Sequence, residues 1–157
     1  MSDTNFRRTA NWLAACEKHP YNPEHISVQI GCHIEELTEF LDTLCISKAN
    51  LSHSSGGQLV VERAVADLRW LAGKLKAGEY LAHVQSHLKV DALDALCDCE
   101  VTGNGVAFLM GFDKEGADRA VLASNDAKLV DGRPILLPGG KIAKPEGWQP
   151  PHLTSFI

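Results

Sequence analysis

The chain has 157 residues, 45% of them apolar, and a formal net charge of −5. This length and apolar content predict a single globular domain over residues 1–157 with its own hydrophobic core. No stretch approaches the ~20 apolar residues of a membrane span, and the N-terminal residues lack the apolar run of a signal peptide. We therefore expect a cytoplasmic protein that binds no membrane, and the acidic charge argues against general nucleic-acid binding.

Hydrophobic periodicity and helix-boundary residues predict five helices. The first runs from Asn5 to about Lys18, where Pro20 follows. The second begins at Pro23, because proline at the first helical position loses no hydrogen bond, and runs to about Lys48. Its apolar face is predicted to contain Ile34, Leu37, Leu41 and Leu44. A Ser/Gly-rich loop, Leu51–Gly57, separates it from the remaining helices, which are Gln58–Lys76, Lys89–Met110 and Asp113–Ser124.

The segment after the fifth helix has a different character. Asp131-Gly-Arg-Pro and Pro138-Gly-Gly are turn-forming sequences that exclude another long helix. The alternating pattern of β-strands is nearly absent from the chain. We therefore predict an all-α protein, a helical bundle over about residues 1–124 with an irregular C-terminal segment over about residues 125–157.

The cysteines give no sign of a metal or disulfide framework. Their number is odd, five, and no Cys-x-x-Cys pair occurs, so neither a zinc site nor a set of disulfides is predicted. Cys97 and Cys99 lie in a segment with helical periodicity. Most of the five are predicted to be small buried thiols.

Two of the predicted helices contain closely spaced carboxylates. The second helix has Glu35, Glu36 and Glu39, and the fourth has Asp91, Asp94 and Asp98. Like charges one turn apart destabilise a helix, and no Lys or Arg occurs between Pro20 and Ser47 to relieve the first group. A solvated acidic face is the simple explanation for either group alone. Two such groups together favour a metal site.

The kind of ligand indicates the kind of metal. Carboxylates without histidine or thiolate favour Mg²⁺ or Mn²⁺ over Zn²⁺, and neither group has the Glu-x-x-His pattern of a di-iron bundle. Mg²⁺ in turn suggests a phosphate-bearing substrate. From Ala127 onward the chain has four basic and two acidic residues, so this basic tail is the candidate for holding phosphate.

These features resemble the all-α MazG-like nucleoside triphosphate pyrophosphohydrolases, which include dimeric dUTPases, dCTPases and phosphoribosyl-ATP pyrophosphohydrolases. Glu35-Glu36-x-x-Glu39 resembles their first motif. Their second motif is usually Glu-x-x-Asp; here Asp98 matches its Asp, Ala95 stands in place of the Glu, and Asp94 looks like the replacement. A phage and bacterial branch with a C-terminal substrate-covering segment is similar in Ser124-Asn125-x-x-Lys128, Asp131-Gly-x-Pro and Gly140-Lys141-x-x-Lys144.

The resemblance implies hydrolysis of a nucleoside triphosphate to the monophosphate and pyrophosphate in nucleotide-pool control. It implies two or three Mg²⁺ ions, replaceable by Mn²⁺, bound by Glu35, Glu36, Glu39, Asp94 and Asp98. Glu35 or Glu36 would accept the proton of the attacking water. The implied substrate contacts are Gln29, Asn125, Lys128, Lys144 and Trp148. Trp148 either stacks on the base or anchors the tail to the body.

Several alternatives stay open at this point. The base is either a purine, as in dGTP or GTP, or a pyrimidine, as in dUTP or dCTP, and attack falls on the α- or β-phosphorus. The other function classes are a non-catalytic helical oligomerisation or adaptor module with acidic faces, and a nucleotidase that releases orthophosphate. The resemblance also implies a homodimer or homotetramer, in the host cytoplasm if a phage encodes the chain.

Overall fold

The computed structural model describes residues 4–46, 55–137 and 142–157. Helices dominate these residues, which confirms the all-α class. None of the helices in the described ranges is long and apolar enough to cross a bilayer. In chain order the helices are α1 (Asn5–Ala15), α2 (Pro23–Asp42), α3 (Ser55–Lys76), α4 (Lys89–Leu109) and α5 (Lys114–Asp126). The short elements are two 3-10 helices, Ser86–Leu88 and Thr154–Phe156, and the strands β1 (Leu129–Val130) and β2 (Arg133–Pro134).

Most helix starts follow from local capping. The Asn22 side chain accepts hydrogen bonds from the backbone N–H groups of Glu24 and His25, and Pro23 occupies the first helical position of α2, as predicted. Asp113 caps α5 by accepting from the N–H of Gly116 at 2.9 Å. Such caps satisfy N–H groups that have no partner within their own helix.

Helix ends depart from the predictions where the backbone turns left-handed or packs closely. α1 ends at Ala15 rather than near Lys18, because Glu17 adopts a φ of 57°. α3 begins at Ser55, so the loop prediction was wrong for residues 55–57; Gly57 lies close to Ile46, and a Cβ there would be 2.6 Å from its Cγ2. α2 ends at Asp42 with Thr43 as its C-cap, so the prediction of helix to about Lys48 was wrong for residues 43–46. Lys48 itself and residues 51–54 of the predicted loop lie outside the described residues.

The described chain divides into two compact units, residues 20–84 and residues 1–19 with 85–157. In the first unit α2 packs against α3 in antiparallel orientation. The two helices approach closely at Gly31 of α2. A Cβ added to Gly31 would lie 3.0 Å from the carbonyl oxygen of Ala72 on α3, so a larger residue would not fit there. The buried residues of the pair are Ser27, Gly31 and Thr38 on α2 and Val65, Ala72 and Leu75 on α3.

This packing corrects the predicted apolar face of the second helix. Leu37 is 46% exposed, and Ile34, Leu41 and Leu44 are only partly buried. The residues that face α3 are instead small ones, which allow the two backbones to approach more closely than leucines would. The leucine stripe is therefore less buried than the small residues of α2, and Leu37 lies on the surface.

In the second unit α1 and the tail both pack on α5. Trp148 contacts the C-terminal end of α5, whereas Phe156 lies at its N-terminal end, where its carbonyl oxygen accepts from the N–H of Asp113 at 2.8 Å. The strands β1 and β2 form a hairpin whose turn, Asp131–Gly132, has φ values of 51° and 74°. Asp-Gly is a favoured pair for such a turn, because both residues must adopt positive φ.

Candidate functional site

The acidic group of α2 is positioned by the pairing of α2 with α3. Glu35 is half-buried, and its Oε2 accepts a hydrogen bond from Nζ of Lys76 at 2.5 Å. One turn later Glu39 is exposed, and its carboxylate has no hydrogen-bond or ion-pair partner among the described residues. Glu36 and Gln29 are both exposed, and Gln29 lies two helical turns before Glu36 on α2.

A second ion pair repeats the arrangement along the same two helices. Arg69 of α3 pairs with Asp42 of α2. The two acids are seven residues apart on α2 and the two bases are seven residues apart on α3, which is two helical turns in each case. The basic residues that the sequence of α2 lacks are therefore supplied by α3, and part of the repulsion in the acidic group is relieved.

The acidic group of α4 faces away from the interior of its own unit. Among the residues of α4, all of them described, only Ala107 is buried. Counted at about 100° per residue, Asp98 lies directly opposite Ala107, and Asp94 lies about 40° from Asp98. Both side chains are exposed. They lie one turn apart and present their carboxylates to the same side.

The two acidic groups belong to different compact units, Glu35, Glu36 and Glu39 to one and Asp94 and Asp98 to the other. Within the described ranges, no three His, Cys, Asp or Glu side chains converge closely enough to hold a metal ion. The donor chemistry of each group nevertheless fits Mg²⁺, which proteins commonly bind through one or two carboxylates together with substrate phosphates and water.

The predicted substrate residues of the tail lie together in the structure. Nζ of Lys144 is 4.4 Å and Nζ of Lys128 is 5.4 Å from the centre of the Trp148 ring, both within the range of cation–π attraction. Lys128 also donates to Oδ1 of Asn125 at 2.8 Å. Two ammonium groups are thus collected around one indole in an otherwise acidic chain.

Trp148 and Trp12 cap the C-terminal end of α5. The indole N–H of Trp148 donates to the carbonyl oxygen of Ser124 at 2.9 Å, and that of Trp12 donates to the carbonyl oxygen of Asn125 at 2.9 Å. The Ser124 hydroxyl donates to the carbonyl oxygen of Gln149 at 3.2 Å. These contacts favour the anchoring role among the two open alternatives for Trp148.

Sequence reasoning missed Lys76 and Trp12. Lys76 is 41 residues from Glu35, and the contact is visible only if the seven-residue spacings on the two helices are aligned. Trp12 is 113 residues from Asn125, and no local pattern connects them. Of the predicted tail lysines, Lys141 lies outside the described residues.

The prediction that most cysteines are buried was wrong. Cys16 is buried at 2% exposure, but Cys45, Cys97 and Cys99 are exposed and Cys32 is intermediate. Cys97 and Cys99 are exposed because nearly all of α4 is exposed. Burial raises the pKa of the Cys16 thiol, and the positive charges of Lys18 and Lys128 offset part of that effect.

Comparison of the chain with protein-family models, curated proteins and solved structures gave no match. The resemblance to the MazG-like superfamily therefore rests on the motif residues themselves. In the structure Glu36, Glu39, Asp94 and Asp98 are exposed, and Lys128 and Lys144 lie beside Trp148.

Proposed function

We propose that the chain is a Mg²⁺-dependent nucleoside triphosphate pyrophosphohydrolase that converts a nucleoside triphosphate and water into the monophosphate and pyrophosphate. The observation that carries the proposal is the convergence of Lys128 and Lys144 on Trp148. Two ammonium groups that lie 4.4 and 5.4 Å from one ring centre favour an anion with several charged oxygens, such as a triphosphate. Exposed carboxylates elsewhere in the chain supply the ligand type that accompanies such a substrate.

Metal binding is assigned to Glu35, Glu36 and Glu39 on α2 and to Asp94 and Asp98 on α4. A bound Mg²⁺ or Mn²⁺ neutralises phosphate charge and lowers the pKa of a coordinated water. The chain's own contribution is to present the carboxylates without a covering layer of apolar side chains. Glu35 or Glu36 is the proposed acceptor for the proton of the attacking water.

Substrate binding is assigned to Lys128 and Lys144, with Asn125 and Gln29 as further polar contacts. Asn125 orients Lys128 through its Oδ1, and Trp148 positions both lysines. In this proposal Trp148 acts by anchoring the tail to α5, and the tail covers the substrate. The proposal extends to either base class, the purines of dGTP and GTP or the pyrimidines of dUTP and dCTP.

We also propose a MazG-like helical bundle assembled as a homodimer or homotetramer. Val90, Phe108 and Leu109 of α4 are 78%, 80% and 84% exposed, and Leu93 is 64% exposed. A helix with apolar residues on most of its sides is normally buried, and exposed apolar surface of this kind is typical of association surfaces. Light scattering at micromolar concentration tests the assembly, and a monomeric mass would contradict it.

The function is tested with a panel of the eight common NTPs and dNTPs, each with Mg²⁺ and with Mn²⁺. We expect pyrophosphate release that depends on the divalent ion and is largest for one base. The Asp98→Asn variant, purified in the same way, controls for contaminating phosphatases. Orthophosphate as the first product would indicate a nucleotidase, and no product from any nucleotide would favour the adaptor module. Hydrolysis in ¹⁸O-water distinguishes attack on the α- from the β-phosphorus.

A further inference from the structure

The stem of Lys76 lies in a space left by a glycine of the neighbouring helix, and its ammonium group pairs with Glu35. A Cβ added to Gly31 would lie 2.9 Å from Cγ of Lys76, so the missing side chain at Gly31 leaves the space that the lysine stem occupies. Glu35 lies one turn beyond Gly31 on α2, and the ammonium group of Lys76 reaches its Oε2 at 2.5 Å. A glycine and a glutamate one turn apart thus accommodate the two ends of the same side chain.

The Arg69–Asp42 pair provides a comparison within the same hairpin. It joins the same two helices, and its side chains are 48% and 44% exposed, close to the 35% and 40% of Lys76 and Glu35. As supports of the hairpin the two pairs are therefore similar. They differ in their acid, because Glu35 belongs to the proposed metal ligands and Asp42 does not.

We propose that Lys76 pairs with the Glu35 carboxylate until a metal–nucleotide complex binds, and that its ammonium group then forms an ion pair with a phosphate oxygen instead. This inference rests on the proposed function. An ammonium ion and a divalent cation repel each other at one carboxylate, so metal alone binds Glu35 against the competition of Lys76. A triphosphate relieves that competition, because it offers the flexible lysine a new anionic partner next to the metal. Lys76 would therefore couple metal binding to nucleotide binding.

The test is a titration of the 157-residue chain with Mn²⁺ alone, in which electron paramagnetic resonance measures the free Mn²⁺. The Lys76→Met variant keeps most of the stem but removes the charge, and we expect it to bind Mn²⁺ more tightly, by up to about fivefold, the range for a partly exposed ion pair. Lys76→Gln should act in the same direction, whereas Lys76→Arg should retain the wild-type affinity. Arg69→Met is the matched control and should leave Mn²⁺ affinity unchanged.

Two further measurements make the result specific. In the Glu35→Gln background the Lys76→Met change should no longer alter Mn²⁺ affinity, because the carboxylate for which Lys76 and Mn²⁺ compete has been removed. With a non-hydrolysable triphosphate present, Lys76→Met should bind Mn²⁺ no more tightly than the wild type, or less tightly, since the variant has lost a phosphate contact.

Equal Mn²⁺ affinity in Lys76→Met, Lys76→Gln and the wild type would overturn the inference. The same gain in Arg69→Met would also overturn it, because the effect would then belong to the hairpin as a whole. The Mn²⁺ titration involves no turnover. A chain that releases no pyrophosphate from any nucleotide therefore contradicts the proposed function, while the titration still decides whether Lys76 competes with metal for Glu35.

Discussion

Nε1 of Trp148 donates a 2.9 Å hydrogen bond to the carbonyl oxygen of Ser124, and Trp12 makes the same contact with the next carbonyl, that of Asn125. The last carbonyls of a helix have no partner within the helix. At the end of α5 indoles from opposite ends of the chain donate to two of them, and the Asn125 carbonyl also accepts from the backbone N–H of Lys128 at 3.0 Å. The Ser-Asn-x-x-Lys motif is thus the point where α1 and the tail are both attached to α5.

The first prediction concerns this double cap. Trp148→Phe keeps an aromatic ring beside the lysines but removes the N–H donor, so we expect the free energy of unfolding to fall by about 1 kcal/mol, the net value of one hydrogen bond. Urea unfolding followed by circular dichroism measures it. Trp70→Phe is the control, because Trp70 is 56% exposed and packs edge-on against Tyr80. Equal stability of Trp148→Phe and wild type would show that the cap contributes nothing.

The second prediction compares two glycines of the α2–α3 pair. Gly31→Ala places a Cβ about 3.0 Å from the carbonyl oxygen of Ala72, and overpacking of this kind costs roughly 1–3 kcal/mol. Gly73→Ala has open space around its Cβ and should stabilise the protein by about 0.5–1 kcal/mol, because alanine favours the helix. Thermal unfolding of both variants shows whether each substitution raises or lowers stability. A stabilising Gly31→Ala would contradict the close packing of α2 on α3.

The third prediction concerns the proposed metal ligands. Glu39→Gln or Asp98→Asn should reduce pyrophosphate release by about two orders of magnitude or more, since each removes an anionic oxygen from a charge-stabilising site. The fold should be unchanged or slightly more stable, because like-charge repulsion is also removed. Glu100→Gln, another exposed acid of α4 that lies outside the ligand group, is the control. Wild-type turnover at limiting Mg²⁺ in either variant would exclude that residue as a required ligand.

The fourth prediction concerns the basic cluster. Lys144→Ala should raise the Michaelis constant for the nucleotide, and the deficit relative to wild type should shrink as salt is added. The reason is that exposed charge contacts are screened over about 8–10 Å at physiological ionic strength. Initial rates at several salt concentrations measure the effect. The control is Lys89→Ala, at the exposed start of α4, which should leave the Michaelis constant unchanged. An unchanged Michaelis constant in Lys144→Ala would leave the phosphate assignment without support.

The fifth prediction follows from the raised pKa of Cys16. A thiol whose pKa is higher in the folded than in the unfolded state contributes stability below the unfolded pKa and loses it as pH rises through the folded value. Above roughly pH 8.5 the free energy of unfolding should therefore fall with pH. Cys16→Ala should flatten that slope, whereas the exposed Cys45→Ala should not. Identical slopes in Cys16→Ala and wild type would contradict the burial effect.

Local features of the sequence predicted much of the helical architecture. Pro23, Gly78 and Gly111 mark helix boundaries through backbone properties that act within a few residues, and the structure has boundaries beside each of them. The Asp131–Gly132 turn was predicted for the same reason. These features depend on the chain's own φ preferences and need no knowledge of tertiary contacts.

Features that depend on distant partners were not predicted. Hydrophobic periodicity assigned the core side of α2 to its leucines, but in the structure Gly31 packs against α3 and the most buried α2 side chains are those of Ser27 and Thr38. The bases that pair with Glu35 and Asp42 come from another helix, so the acidic group seemed uncompensated in sequence. For the candidate site, residue chemistry indicated which side chains to consider, whereas their partners depended on helix register.

The second compact unit is discontinuous in the chain, because residues 20–84 are inserted between α1 and the rest of it. During synthesis, α1 leaves the ribosome long before Asn125, the residue whose carbonyl accepts from Trp12 113 positions earlier. The α2–α3 pair joins helices that are adjacent in the sequence, and contacts between nearby segments form in the faster kind of folding step. We therefore expect the inserted hairpin to form co-translationally and the unit that contains both chain ends to complete its folding last.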